Sequence, residues 1–367
     1  MLVNDITREM ERWAPAHLKE DWDNVGLHLG DRQATVKRVL LALTPSEAVV
    51  AEAVRKNADL IITHHPFFFK GAKAINSDSA TGRMALACIR NNIALFCAHT
   101  NLDIAEGGVN DALAERLGLE NVRGLAETAR RPRYKVVVFV PEDHLEAVKG
   151  AMLAAGAGRQ GAYSDCAWSV AGEGQFRPLD GAEPFLGQVG AVERVREARL
   201  ELLVDQADLP AVLAAMSAAH PYEEVAYDVF ENQSQPERAY LGRVGELAEP
   251  VRLGDWLGDV KAALGTSHLK VAGDLQTMVR RVALCGGSAC EYMGAAKAAG
   301  ADVYITGDMK YHDAQRALEL GIPVVDVSHY AGERPVLEQI RARLNAAFPD
   351  ALDITISQDE ENFMMDL

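Results

Sequence analysis

The chain has 367 residues, and its 53 acidic side chains outnumber the 37 basic ones, which gives a formal net charge of -16. This length is typical of two or three domains, and a content of 49% hydrophobic and 25% charged residues is typical of a soluble globular protein. The acid excess argues against a nucleic-acid partner, because such proteins need a basic face. No apolar stretch is long enough to span a bilayer, and the N-terminal segment lacks the apolar core of a signal peptide. We therefore expect a cytoplasmic protein without a membrane partner.

Apolar runs alternate with helical patterns at both ends of the chain. In the first part they predict strands at Val39–Leu43, Leu60–Thr63 and Ile93–Ala98 and helices at Ser46–Lys56, Met84–Asn91 and Val109–Leu117. In the last part they predict strands at Arg281–Cys285, Val303–Thr306 and Val324–Val327 and helices at Trp256–Leu264, Tyr292–Ala299, His312–Leu320 and Pro335–Leu344. This alternation is typical of βαβ units and a parallel sheet.

The middle of the chain follows a different pattern. Arg130–Arg133 is predicted as a loop and Gln233–Glu237 as a linker. Between them lie predicted strands at Tyr134–Val140, Ala198–Val204 and Val225–Phe230 and predicted helices at His144–Ala155 and Pro210–His220. This order indicates a ferredoxin-like α+β layout. The chain is therefore predicted to be an α/β protein with an α+β domain inserted into it.

The two ends of the chain resemble each other. The segment from Asn57 to His65 can be laid on the segment from Gly300 to Asp308, because both have Ala-Asp at their second and third positions and a threonine at the strand end. The next strand of each copy ends at a histidine that is followed four residues later by an acid, as His99 and Asp103 or as His329 and Glu333. We interpret this repetition as an internal duplication that produces two related α/β halves.

Histidines and carboxylates follow the ends of these strands. His64 and His65 come at the end of the strand Leu60–Thr63, and ligands bind outside the carboxyl ends of strands in open α/β sheets. Alone, this pair could bind one metal ion or two, or could be two polar loop residues. With Asp103, His329 and Glu333 it supplies three imidazoles and two carboxylates, which suit Zn, Fe, Mn, Co or Ni. Five ligands are too many for a catalytic zinc ion with three protein ligands, so the set predicts two metal ions and a bridging carboxylate.

Three other polar residues are candidates for roles around this site. His99 could be a sixth ligand or could orient Asp103. Asp308 and His312 lie in the part of the second half that corresponds to His64 and His65 of the first half. They could orient a metal ligand or act as acid/base groups towards a substrate. Gly307 and Asp308 would also make an adequate helix cap.

Three further motifs have both a structural and a functional interpretation. Trp22–Leu27 predicts a connection from helix to strand or a substrate loop. His220–Glu224 predicts a loop that ends a helix, or a charged group brought to a pocket. Gly286–Ser288 could bind an anion at a helix N-terminus.

Five separated motifs resemble one protein family. In chain order they are WDNVGL (Trp22–Leu27), ITHHPFFF (Ile62–Phe69), AHTNLD (Ala98–Asp103), ITGDMKYHDA (Ile305–Ala314) and VSHYAGE (Val327–Glu333). Together they resemble the NGG-one-interacting factor three-like family, whose bacterial members are labelled GTP cyclohydrolase 1 type 2 homologues. The resemblance covers residues 1–125 and 240–367, and residues 126–239 resemble the PII/CutA-like middle domain of longer bacterial members.

The resemblance implies a fold, a metal centre and an assembly. It implies two duplicated α/β halves with a dinuclear metal centre in the cleft between them. The family's ligands correspond to His64, His65, Asp103, His329 and Glu333, with His99 close to the site. It also implies a toroidal homohexamer built from trimers, in which the metal sites face an inner cavity and the inserted domains cap the ring.

Two functional hypotheses follow. The first is a metal-dependent hydrolase that uses a metal-bound hydroxide as nucleophile, acts on a nucleotide or another anionic small molecule, and moves protons with His99, Asp308 or His312. A cyclohydrolase reaction and a phosphoester hydrolysis are both compatible with it. The second is a metal-binding sensor, chaperone or scaffold with a regulatory PII-like insert and no turnover.

Overall fold

The computed structural model describes residues 1–364, and the chain divides into two compact units. One unit comprises Met1–Ala129 and Ala239–Leu367, and the other comprises Arg130–Arg238. Within residues 1–364, no helix combines the length and the apolar character needed to cross a lipid bilayer.

The first segment of the larger unit alternates helices and strands. Its helices are α1 (Val3–Trp13), α2 (Glu47–Arg55), α3 (Ala80–Arg90), α4 (Thr100–Ile104) and α5 (Val109–Arg116). Its strands are β1 (Gly26–Leu29), β2 (Arg38–Ala42), β3 (Leu60–Thr63) and β4 (Ala94–Cys97). Helix α3 begins before the predicted Met84 because the Ser79 hydroxyl accepts a hydrogen bond from the Gly82 amide and caps the helix there.

The smaller unit has the strand and helix order of a ferredoxin-like fold. Strand β5 (Glu120–Pro141) leads into it and is followed by α6 (Leu145–Ala154), β6 (Ala167–Phe176), β7 (Glu193–Asp205), α7 (Leu209–Ala219) and β8 (Tyr227–Arg252). Strand β7 pairs antiparallel with both β6 and β5, and β8 lies next to β5. The predicted ferredoxin-like layout is therefore confirmed. Its relation to PII/CutA-like domains stays a prediction.

Two predicted connections in this region are wrong. Arg130–Arg133 lies within β5, and Gln233–Glu237 lies within β8. Arg133 pairs with Asp205 of β7, and its guanidinium forms an ion pair with the Asp205 carboxylate. Arginine and proline both adopt an extended backbone, so the sequence Arg-Arg-Pro-Arg is compatible with a strand as well as with a loop. Proline has no backbone N–H, and a strand tolerates it where no hydrogen-bond donor is required.

The second segment of the larger unit again alternates strands and helices. Its helices are α8 (Leu253–Leu264), α9 (Met293–Ala298), α10 (Tyr311–Leu320), α11 (His329–Glu333) and α12 (Val336–Ala347). Its strands after β8 are β9 (Lys270–Ala272), β10 (Met278–Leu284), β11 (Val303–Thr306), β12 (Val324–Asp326) and β13 (Asp353–Ile356).

The larger unit contains two sheets with closely similar topology. One has the order β1-β4-β3-β2-β13, and within this unit the other has the order β9-β12-β11-β10-β8. In each, three central strands are parallel, and the strand that precedes them in the chain pairs antiparallel with the last of the three. The sheets differ at the opposite edge, where β13 is parallel to β2 and β8 is antiparallel to β10. This shared order confirms two related α/β halves.

An aspartate has the same role in both halves. Asp59 lies just before β3 and accepts hydrogen bonds from the amides of Lys37 and Arg38, each at 2.8 Å. Asp302 lies just before β11 and accepts them from the amides of Arg280 and Arg281, at 2.9 and 2.8 Å. Each carboxylate thus fixes the register between a central strand and its neighbour. This role gives a physical reason for the aspartate that both copies have at this position.

Successive side chains of the central strands pack against helices on opposite faces. Ile62 of β3 packs in the core with α1 and α12, whereas Ile61 packs with α2 and α3. In β11, Ile305 packs with α5 and α8, whereas Tyr304 packs with α9 and α10. Because both faces are covered, these strands are apolar throughout rather than alternating.

Glu52 on α2 binds the segment that follows β13. Its carboxylate accepts hydrogen bonds from the amides of Gln358 and Asp359 and from the Ser357 hydroxyl, and it lies 2.7 Å from the Lys56 ammonium. Burial favours the protonated acid, but these donors outweigh burial and lower the pKa of Glu52 from 4.5 to about 2.

We expect Glu52→Gln to lower the free energy of unfolding at pH 7 by about 2 kcal/mol, because a charged hydrogen-bond acceptor is lost. The folded-state pKa is depressed, so this contribution is present above pH 4.5 and is lost as the pH falls towards about 2. Urea unfolding of both proteins between pH 7 and pH 3 should therefore show a difference that shrinks below pH 4.5. Asp359→Asn, which removes only the exposed ion pair with Arg55, is the control and should change stability little. A difference that is independent of pH would contradict this account.

Candidate metal centre

The carboxyl ends of the central strands of both sheets supply the polar residues of one site. His64 and His65 follow β3 directly, and His99 lies between β4 and α4, immediately before the first residue of the helix. In the second half, His329 and Glu333 begin and end α11, which follows β12. The site lies within the larger unit, and both halves contribute to it.

The two histidines after β3 are held at Nδ1 and present Nε2 to the site. His64 is fully buried, and its Nδ1 lies 2.9 Å from the Ala98 carbonyl oxygen. A carbonyl only accepts hydrogen bonds, so Nδ1 of His64 donates, and Nε2 keeps its lone pair in the neutral ring. His65 Nδ1 lies 2.7 Å from the Thr44 hydroxyl, and its Nε2 lies 3.0 Å from Glu333 Oε2. Burial lowers the pKa of His65, which favours the neutral, ligating form.

His99 and His329 are each oriented by an aspartate. His99 Nδ1 lies 2.9 Å from Asp23 Oδ1, and His329 Nδ1 lies 2.9 Å from Asp308 Oδ2. A carboxylate only accepts, so both histidines donate from Nδ1 and direct Nε2 towards the site. Burial opposes ionisation of Asp23, but hydrogen bonds from His99 and Thr100 outweigh it and hold the pKa of Asp23 below its ordinary value. Partners of this kind are typical of histidines that bind metals.

Two buried carboxylates lie among these rings. Asp103 Oδ1 lies 3.6 Å from His64 Nε2, and Glu333 Oε1 lies 3.7 Å from the same nitrogen. Burial raises the pKa of Asp103 to about 6. Burial acts in the same direction on Glu333, but the neighbouring His64 and His329 hold the pKa of Glu333 well below its ordinary value.

The neighbouring carboxylates raise the pKa values of two of the imidazoles. Burial disfavours the protonated ring of His64, but Asp103 and Glu333 outweigh burial and raise its pKa to about 9. His329 is likewise opposed by burial, and Glu333 and Asp308 raise its pKa to about 10. The two buried carboxylates thus attract positive charge, which can be supplied by protons on the rings or by metal ions.

The donor atoms fit a transition-metal ion. Three overlapping groups, in each of which all donor atoms lie within 4.8 Å of one another, consist of His64, His65 and His99, of His65, His329 and Glu333, and of His64, Asp103 and Glu333. Within the described chain, His64 Nε2 and Asp103 Oδ1 are buried without a hydrogen-bond partner. Such atoms are costly unless a ligand satisfies them, so the cluster fits a metal bound by nitrogen and oxygen.

A cleft of about 550 Å³ opens directly onto this cluster. Its walls include Trp22, Phe69 and the loop Gly286–Ser288. Gly287 has a φ of +69°, and a Cβ there would lie 2.5 Å from Glu333 Oε1, so only glycine lets this loop approach the carboxylate. Cys285 also lines the cleft, and burial raises the pKa of its thiol well above the ordinary value.

The structure brings together most of the predicted site residues. All five residues predicted as ligands lie in the cluster, and His99 lies with them. Asp308 contacts His329, which corresponds to an orienting role. His312 is exposed on α10, where its described contacts are with Gln315 and Tyr311, and it is not among the residues that line the cleft. The structure therefore does not place His312 in the lining of the cleft, and its acid/base role stays a prediction.

One detail of the predicted duplication is corrected by the hydrogen bonds. The amide of Ala98 donates to the Thr63 carbonyl, and the amide of Val327 donates to the Thr306 carbonyl. His99 therefore corresponds in backbone position to Ser328, and His329 lies one residue further on. The two His-x3-acid pairs reach the same cluster from positions offset by one residue.

Three residues that support the cluster cannot be recognised as such from the sequence. Asp23 lies in the Trp22–Leu27 motif but was not distinguished there as a partner of His99. Thr44 follows β2, whose carboxyl end lies at the same sheet edge as β3, and this adjacency was its only available signal. The Glu360 carboxylate accepts a hydrogen bond of 2.7 Å from the Thr44 amide across 316 positions of sequence, which no local pattern indicates.

Comparison with known proteins identifies the family to which the chain belongs. The model of the Duf34/NIF3 (NGG1p interacting factor 3) family matches residues 1–362. A Bacillus subtilis (strain 168) protein named GTP cyclohydrolase 1 type 2 homolog is 41% identical over 360 residues, which are 97% of this chain and 96% of that protein. The solved structure of a Bacillus cereus protein related to NIF3 is 41% identical with a TM-score of 0.89, covering 100% of this chain and 99% of that one. A Staphylococcus aureus protein of known structure is 29% identical with a TM-score of 0.79 and the same coverage. The chain therefore belongs to the Duf34/NIF3 family.

Proposed function

We propose that this protein is a metal-dependent hydrolase that acts on a nucleotide or another anionic small molecule. The observation that carries the proposal is the convergence of four imidazoles, each held at Nδ1, with two buried carboxylates beside a cleft of about 550 Å³. A cleft of this size accommodates a small molecule next to the cluster.

The donor set supports two divalent transition-metal ions, for which Zn, Fe, Mn, Co and Ni are all suitable. Five donor residues exceed the three or four that a single zinc ion takes from a protein. His64, His65 and Glu333 each belong to two of the three overlapping groups, so these groups adjoin one another and would hold neighbouring ions. The residues that would hold the ions are His64, His65, Asp103, His329 and Glu333.

Ions held there would supply a water acidified towards a pKa of about 7 and a positive charge for a developing oxyanion. The chain's own contribution to proton transfer would come from His99. Its Nε2 faces the cluster, and the Asp23 carboxylate stabilises the imidazolium that forms when Nε2 accepts a proton from an attacking water. Asp308 has the corresponding orienting role for His329.

The name of the Bacillus subtilis relative makes GTP the first nucleotide to test. Hydrolytic opening of its purine ring at C8 would release formate, whereas hydrolysis of a phosphoester would release phosphate. The homohexameric assembly stays a prediction, and a sensor, chaperone or scaffold is the outcome if metal binds without turnover.

The metal content of the purified full-length protein tests the first step. Elemental analysis after chelator-free purification should give about two transition-metal ions per chain, as in two-metal hydrolases. Asp103→Asn and Glu333→Gln should lower this value, because each removes a buried charged donor. Glu291→Gln removes an acid that lines the same cleft outside the cluster, so its metal content should equal that of the wild type. A wild-type value near zero would contradict the proposal.

The hydrogen bond from His329 to Asp308 should strengthen metal binding. Asp308 has a φ of +54°, which glycine adopts without strain, so Asp308→Gly removes the carboxylate and leaves the backbone intact. We expect its metal affinity to fall about 10- to 100-fold, measured by competition with a chromogenic chelator. Asp308→Asn tolerates the same backbone and keeps an acceptor oxygen, so it should retain most of the affinity. Equal affinities in the wild type and Asp308→Gly would exclude this role.

Turnover is tested with the metal-loaded full chain and a library of nucleotides and phosphoesters, with formate and phosphate as the measured products. His99→Gln should lower kcat by about 10²- to 10⁴-fold if His99 moves a proton. Its metal content should be measured in parallel, because loss of metal would identify His99 as a ligand instead. His64→Ala controls for contaminating activity. If no library member gives either product, hydrolysis is refuted and the binding-only alternative stands.

A further inference from the structure

Two large aromatic side chains lie exposed at the mouth of the cleft. Trp22 is 56% exposed and Phe69 is 54% exposed, although burial of such rings normally contributes strongly to folding. Their ring centroids are 5.5 Å apart with an angle of 30° between the planes, and both line the cleft. The Trp22 ring also lies 5.9 Å from the His99 ring. This exposed pair is therefore adjacent to the metal-binding cluster.

The backbone beneath these rings is fixed by hydrogen bonds. Asn24 Nδ2 donates to the Phe68 carbonyl at 2.6 Å, which connects the loop of Trp22 to the loop of Phe69. The Asp23 carboxylate accepts hydrogen bonds from His99 and Thr100, which connects the same loop to the start of α4. The backbone positions that carry the two rings are thus set before any ligand arrives, which reduces the entropy cost of binding.

The charges around the cleft are unfavourable for a simple anion. Its lining includes the acids Glu20, Asp103, Glu291 and Glu333, and no lysine or arginine is among the described residues that line it. A phosphate or carboxylate can therefore be bound by metal ions of the cluster, but not by a lysine or arginine among the described residues of this cleft. Other parts of a ligand must supply the remaining affinity.

We propose that Trp22 and Phe69 form a stacking platform that selects compounds with a planar heteroaromatic ring. The inference rests on the proposed function and narrows its substrate class: anionic molecules without such a ring are excluded. The ring stacks on Trp22 and Phe69, and a polar substituent of the ligand reaches the cluster beyond His99. Every nucleobase and pterin has the π-face that this arrangement requires.

The test is calorimetric titration of the metal-loaded full chain with a purine nucleoside, a pterin, ribose 5-phosphate and inorganic phosphate. The wild type should bind at least one of the two ring compounds, and Trp22→Ala should weaken that binding about 5- to 100-fold. Trp22→Phe, which keeps an aromatic face, should restore most of it. Inorganic phosphate should bind Trp22→Ala as it binds the wild type, which shows that the cluster is intact. Trp168→Ala removes a tryptophan of similar exposure, 54%, in the smaller unit and is the matched control.

The possible results separate this inference from the proposed hydrolase activity. Binding of a ring compound that depends on Trp22, without turnover, keeps the platform and refutes hydrolysis. Turnover of ribose 5-phosphate that is unchanged in Trp22→Ala refutes selection by the platform and keeps a metal-dependent site. Equal ring binding by the wild type and Trp22→Ala, or no ring binding by the wild type, overturns the inference.

Discussion

The burial of two carboxylates in one cluster is the constraint around which the larger unit is organised. Asp103 and Glu333 both lie near His64 Nε2, and an uncompensated buried charge is strongly destabilising. The pKa values of about 9 for His64 and about 10 for His329 show how strongly this pair attracts positive charge. A divalent ion satisfies the same demand and in addition fills the unpaired positions at His64 Nε2 and Asp103 Oδ1. Metal binding and stability of the surrounding fold should therefore be coupled.

The duplicated fold explains how six donors meet without symmetry in the site. Both sheets place the ends of their central strands at the cleft, and Asp59 and Asp302 fix equivalent strand registers. Where the first half has His64, the second half has Gly307, at which a Cβ would lie 2.8 Å from the Gly287 carbonyl oxygen. The second half therefore supplies space and an orienting aspartate at these positions, whereas the first supplies two imidazoles. The first half contributes four of the six side chains of the cluster, and the second half contributes two.

The features predictable from sequence are those with a local physical signature. A buried parallel strand such as Leu60–Thr63 is a continuous apolar run, and its carboxyl end is where ligands bind, so His64 and His65 could be singled out. Thr44 could not, because its hydrogen bond to His65 depends on the pairing of β2 with β3. Asp23 is separated from His99 by 76 positions, and nothing in the spacing of the two residues indicates their contact. Arg130–Arg133 was misassigned because composition cannot distinguish an exposed loop from a strand with charged residues.

Three consecutive residues, Trp22 to Asn24, connect the mouth of the cleft to the cluster and to the loop that carries Phe69. Trp22 supplies an exposed ring at the cleft mouth, Asp23 orients His99 at the cluster, and Asn24 binds the loop that carries Phe69. In an extended or turn backbone neighbouring side chains diverge, so one residue can face the cleft while the next faces the protein. A displacement of this segment would move the ring platform and the His99 imidazole together. Under the proposed stacking, one short segment therefore serves both purposes: Trp22 would contact the ligand, and the adjacent Asp23 holds the His99 imidazole at the cluster.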